Sequence, residues 1–140
     1  MNLPITSFDG VGPIKLGMSI DEVRQAVNSP VSPFRKSAKS EMLTDAFRDL
    51  GIYVFYKKPG ICEAVEMFTP AVPTFRDYRL IGQPFSRIAS FFQEQDEQVE
   101  LESAGLTSNK FGIAIYAPSA QKEPEDPIES VLVFIKDYYK

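Results

Sequence analysis

The chain has no histidine and a single cysteine, Cys62, among its 140 residues. Without histidine there is no Ser-His-Asp or Cys-His catalysis, no histidine zinc site and no use of the commonest general base. One cysteine permits no intrachain disulfide, which fits a reducing compartment, and without histidine it builds no Cys/His zinc site. Cys62 falls inside an expected strand with no base marked for it, so it reads as a buried thiol rather than a nucleophile. No apolar run approaches the length of a membrane span. The stretch from Met1 to Ser7 has neither a basic n-region nor an apolar h-region, so no secretory signal is expected and the cytoplasm is.

Positive charge is also scarce. Nineteen acids face fifteen lysines and arginines, giving a net charge of −4 and an isoelectric point of about 4.9. That balance argues against nucleic acid and anionic membrane as partners and suits a basic one. Gly10, Gly12 and Gly17 match neither the dinucleotide fingerprint nor the phosphate loop and read as turn glycines. No spacing singles out a catalytic pair of carboxylates. The expectation is a protein that is not an enzyme, with no metal and no cofactor.

What is present is a soluble-globule composition, 44% apolar and 24% charged. The length fits one domain that buries about two-thirds of its unfolded surface and folds without staples. The clearest local signal runs from Ile14 to Val27: a short strand, a hinge at Gly17 and a helix opening at Ser19. Ser19 and Glu22 have the spacing of a reciprocal capping box, Met18 and Val23 that of a hydrophobic staple, and Asp21 and Glu22 complement the helix dipole.

The same order returns later. Sliding the chain along itself lays Gly17 on Gly82, Val23 on Ile88, Ala26 on Phe91 and Val27 on Phe92. Leu50–Val54 then falls on Phe111–Ile115, and Glu63–Phe68 on Glu129–Phe134. Pro84 suits the first turn of the second helix, which spans about Pro84 to Gln95. We therefore read an α+β protein, an antiparallel β-sheet with two helices, as a tandem duplication of a β-α-β-β-β unit. The domain is single (1–140), with pseudo-repeats 1–72 and 73–140. Glu41–Phe47 fits a short strand or a helical turn, and Thr69–Pro73 reads as a linker. Gly51–Lys57 and Ile61–Phe68 form a hairpin across Lys58-Pro59-Gly60. Val99–Glu102, Phe111–Ala117 and Ile128–Ile135 are the later strands. The strands are apolar on both faces: Ile52, Val54 and Tyr56 oppose Tyr53 and Phe55, and Val131, Val133 and Ile135 oppose Leu132 and Phe134. Either these strands are buried on both sides within the monomer, the expectation here, or one apolar face is left for a partner.

Acids cluster twice. Glu94, Asp96, Glu97, Glu100 and Glu102 contain no basic residue among them. Glu123, Glu125, Asp126 and Glu129 span a long polar loop, Pro118–Pro127, and enter the last strand. They read as a solvated, self-repelling surface or as a negative docking face for a cationic partner, with Tyr116, Tyr138 and Tyr139 as anchors. Loops longer than their connection needs are often functional, which singles out Pro118–Pro127.

The segments GVGPIKLGMSIDEV, AFRDLGIYVFY, ICEAVEMFTP, GLTSNKFGIAIYAP and IESVLVFIKDYY resemble a group of small bacterial immunity proteins of polymorphic-toxin and contact-dependent inhibition systems. The resemblance implies a cytoplasmic protein that binds and neutralises one cognate toxin domain. Such families share no common binding residues, so the acids and Tyr116 rest on charge and loop length. The duplicated layout is also similar in outline to tandem-repeat β-lactamase inhibitors and to small outer-membrane assembly lipoproteins. The inhibitors are secreted, and the lipoproteins need a lipidated cysteine near the N-terminus, whereas Cys62 is mid-chain. The leading expectation is an inhibitor occluding the active site of a basic, nuclease-type toxin. The alternative is a structural or scaffold module that associates through an apolar sheet face, as a homodimer. A small-ligand binder with a pocket between the halves is the third.

Overall fold

A computed structural model describes residues 1–139; Lys140, the end of the expected tail, lies outside the described residues. The fold is α+β, with two helices and two sheets. The strands are β1 (Asn2–Thr6), β2 (Gly10–Val11), β3 (Ile14–Lys15), β4 (Ser32–Phe34), β5 (Thr44–Phe47), β6 (Ile52–Lys57), β7 (Ile61–Phe68), β8 (Val72–Phe75), β9 (Tyr78–Arg79), β10 (Glu100–Glu102), β11 (Gly105–Ser108), β12 (Ile113–Tyr116) and β13 (Ser130–Phe134). Helix α1 spans Ile20–Val27 and α2 spans Phe85–Gln95.

The large sheet runs β10-β11-β12-β13-β7-β6-β5-β4, all antiparallel. Each half of the chain supplies four consecutive strands, and the halves meet where β7 pairs with β13. There Glu66 is the register partner of Leu132. The order is symmetric about that pair, and smaller details repeat with it. The Gly17 amide donates to the Cys62 carbonyl and the Cys62 amide to Met18; the Gly82 amide donates to Ile128 and the Ile128 amide to Gln83. Gly51 and Gly112 open β6 and β12 in left-handed geometry, φ 72° and 69°, and accept from the amides of Phe68 and Phe134. A Cβ on Gly51 would sit 2.1 Å from the Phe68 carbonyl oxygen, and one on Gly112 would sit 2.9 Å from that of Phe134, so both positions need glycine.

Three expectations change. Each half carries four strands after its helix rather than three, because Ser32–Phe34 and Gly105–Ser108 pair where loop was expected. The ambiguous Glu41–Phe47 segment is a strand from Thr44. The expected linker contributes Val72 and Pro73 to β8, which lies parallel to β1. That pair is the centre of a second sheet, β3-β2-β1-β8-β9.

Helix α1 starts as its sequence requires. The Glu22 amide donates to Ser19 Oγ at 3.2 Å and the Ser19 amide to Glu22 Oε1 at 2.9 Å, and these bonds hold the Glu22 carboxyl below its usual range. Val23 and Val27 enter the core, with Met18 packed against it. Helix α2 has no side-chain cap at Pro84. Its first amides, Phe85 and Ser86, donate to the carbonyls of Asp126 and Pro124 at 3.0 and 2.8 Å, and Ser86 Oγ donates to Glu125 at 2.6 Å. The long loop satisfies donors that a helix start leaves without partners.

One continuous core joins Val23, Val27, Ile88 and Phe92 of the helices with Leu3, Ile5, Val11 and Ile14 of the small sheet. The inward residues of the large sheet complete it, among them Ile52, Val54, Val65, Met67, Ile113, Val131 and Val133. Helices and small sheet thus cover one face of the large sheet. The opposite face meets the expectation of strands buried on both sides only in part: Phe55, Ala64 and Phe134 are buried, but among the described residues no helix or further sheet packs over it. It carries its own small cluster, Phe55, Ala64 and Phe134, with Tyr53, Ala114, Leu132 and Tyr138 packed around it. No helix among the described residues is long and apolar enough to cross a membrane.

Candidate functional site

The uncovered face is built by alternation. Outward residues fall in rows across the sheet: Glu100, Thr107, Ala114, Leu132, Glu66 and Tyr53 form one, and Glu102, Gly105, Tyr116, Ser130 and Phe68 the next. Between β10 and β7 these rows line an open groove of about 740 Å³. Its floor is Ala114, Leu132 and Phe55, and its rim holds Glu66, Glu100 and Glu102. The C-terminal tail folds back along it. Tyr138 stacks on Phe134 with ring centroids 5.4 Å apart, and Tyr139 meets both rings edge-on. Lys36 reaches in from the β4–β5 loop, its Nζ 4.5 Å from the Phe55 centroid.

The electrostatics follow from that placement. Burial, and then the nearby Glu63, push the Tyr138 phenol up to about 12. Burial and the charges of Glu102 and Glu66 raise Tyr139 as well. Both tyrosines stay neutral at physiological pH, each offering a ring and a hydroxyl donor. Glu102 also accepts from Thr107 Oγ1 at 3.0 Å, which fixes one carboxylate on the rim.

Of the acids and aromatics expected to bind a partner, the groove brings together Glu100, Glu102, Tyr116, Tyr138 and Tyr139. Tyr116 is 47% exposed. Asp96 is withdrawn from any surface role: it is 4% exposed, accepts from Ser108 Oγ at 2.8 Å and from the Gln98 amide at 2.9 Å, and closes the end of α2. Glu125 and Asp126 are tied to the start of α2. Glu94, Glu97, Glu123 and Glu129 are exposed but do not line the groove. Glu66, Leu132 and Ala114 were not singled out as site residues from sequence. The two-sided strands carried their signal, because a charge at Glu66 and apolar neighbours on the same face mark an open side.

No protein-family model, curated protein or solved structure matches this chain. The chemistry of the groove therefore stands on its residues. Cys62 offers no nucleophile, since burial pushes its thiol up to about 12. Among the described residues no three histidine, cysteine or acidic side chains gather where they could hold a metal ion. What the arrangement offers is contact: aromatic rings, an apolar floor and carboxylates of one sign at the edge. Sites that bind proteins favour large rings of low conformational entropy beside charges that orient the partner.

Proposed function

We propose that this protein is a non-catalytic inhibitor that binds a cognate toxin domain, basic and nuclease-type, across this groove and occludes its active site. The observation that carries the reading is the outer sheet face at Ala114, Leu132 and Tyr116, over which no helix or further sheet packs among the described residues, rimmed by Glu66, Glu100 and Glu102. Tyr116, Tyr138 and Tyr139 act as anchors, and the rim steers a cationic partner and sets its orientation. Such an inhibitor works in the cytoplasm, beside the toxin's target. The net charge of −4 adds long-range attraction to a basic domain.

The test is to look beside this gene for a large secreted protein with a variable C-terminal domain and to co-express that domain with this chain. Wild type rescues growth, whereas Leu132→Lys, which faces Glu66 across the strands and repels a cationic partner, combined with Tyr116→Ala abolishes rescue while the variant keeps a cooperative melting transition. Undiminished rescue would sink the face. A second reading, a homodimer through the same face, is disfavoured because each copy would present its acid rim to the other. Sedimentation at micromolar concentration separates the two.

A further inference from the structure

The large sheet ends in two unlike edges. Edge β4 carries Pro33, which lacks an N–H, follows Pro30, and has the Phe34 ring packed against Tyr53 beneath the Arg48 guanidinium. That is a blunted edge. Edge β10 has no proline, and all three of its residues are exposed, Leu101 at 54%. It pairs with β11 on one side, and among the described residues no hydrogen bond reaches its backbone from the other. The edges of the small sheet, β3 and β9, are two residues long and too short to template a strand.

We propose that β10 is a strand-addition site, where an extended segment of a partner protein with basic side chains alternating with apolar ones continues the large sheet. The register dictates the pattern. Glu100 and Glu102 lie in the rows that include Ala114 and Tyr116 on the groove side, while Leu101 lies beside Leu106 on the core side. A strand laid along β10 sets alternate side chains over the two carboxylates and those between them over Leu101. Basic residues answer the first and apolar residues the second. A second copy of β10 is excluded as occupant, since antiparallel pairing would oppose glutamates to glutamates. The inference rests on the function above only in taking the occupant to be a protein chain.

The probe is an end-blocked heptapeptide of alternating lysine and valine, titrated into the full chain and read by amide NMR shifts and hydrogen exchange. The amides of Glu100, Leu101 and Glu102 shift and gain protection. N-methylation of alternate peptide residues weakens binding about tenfold. The double variant Glu100→Lys with Glu102→Lys loses the lysine peptide and gains its glutamate counterpart at unchanged melting temperature. Shifts centred on Ala114 and Leu132 without protection of β10, indifference to N-methylation, or no binding at millimolar peptide would each overturn strand addition. The growth-rescue assay with Leu132→Lys and Tyr116→Ala stays informative in every case, so failure here is separable from failure of the inhibitor reading.

Discussion

The two halves of the large sheet share one backbone plan and hold it by different chemistry. In the first half α1 caps itself through Ser19 and Glu22, and a charged clamp ties it to the sheet. Asp45, 1% exposed, takes both Arg24 Nε at 2.9 Å and Arg24 Nη2 at 2.7 Å, with the Tyr56 hydroxyl at 2.8 Å. In the second half α2 has no cap of its own. A loop from far along the chain supplies acceptors at its start, and Asp96 fastens its end to Ser108. A common layout thus leaves each half free to meet its hydrogen-bonding needs locally or at long range. Both halves anchor the helix to the sheet through a buried aspartate, but Asp45 takes a charged donor, Arg24, where Asp96 takes a hydroxyl, Ser108.

That contrast is tested first where the halves agree. Gly51→Ala should cost about 3 kcal/mol and Gly112→Ala about 2, because both force a positive φ and the first meets a carbonyl oxygen at 2.1 Å against 2.9 Å. Urea unfolding checks the order; a tolerated Gly51→Ala would break the equivalence of the two turns. The anchors come next. Asp45→Ala should cost about 2–3 kcal/mol, the Arg24 side chain being 39% exposed and able to turn to water, and Asp96→Ala about 2 kcal/mol. Equal losses would mean that a charged donor on the aspartate adds nothing over a hydroxyl.

The difference in capping is smaller. Ser19→Ala should cost about 1 kcal/mol, and Glu125→Ala about 0.5 kcal/mol because its carboxylate is exposed. Building a Ser-x-x-Glu box into α2 with Pro84→Ser and Arg87→Glu should make the Glu125 effect vanish. The last effect shows only at alkaline pH. The Tyr138 phenol is raised in the fold from 10.0 to about 12, so its contribution is fully present below pH 10 and is lost as pH rises towards 12. Tyr138→Phe should flatten that decline in stability. An unchanged slope would place the phenol in water.

The parts legible in the sequence were those with local causes. The Ser19–Glu22 box, the span of α2 and the β6–β7 hairpin follow from neighbours a few residues apart. The correspondence of Gly51 with Gly112 and of β7 with β13 was visible as repeated pattern. What escaped was set at long range. β8 exists because β1 pairs with it from the other end of the first half, so Val72 and Pro73 looked like linker. Asp96 looked like one more surface acid, since charge clustering records composition and not depth. Pro118–Pro127 stood out for its length, yet part of that length reaches back to the start of α2.

The meeting of Glu66 with Leu132 at the centre of the large sheet has one more consequence. The backbone there reads alike from either end, but one strand presents a carboxylate where its counterpart presents a hydrocarbon. Anything lying across the junction meets an arrow rather than a mirror, and turning it end for end would trade a cation's counterion for grease. A face assembled from two matching halves is in this way given a heading, and a visitor has one orientation in which to land.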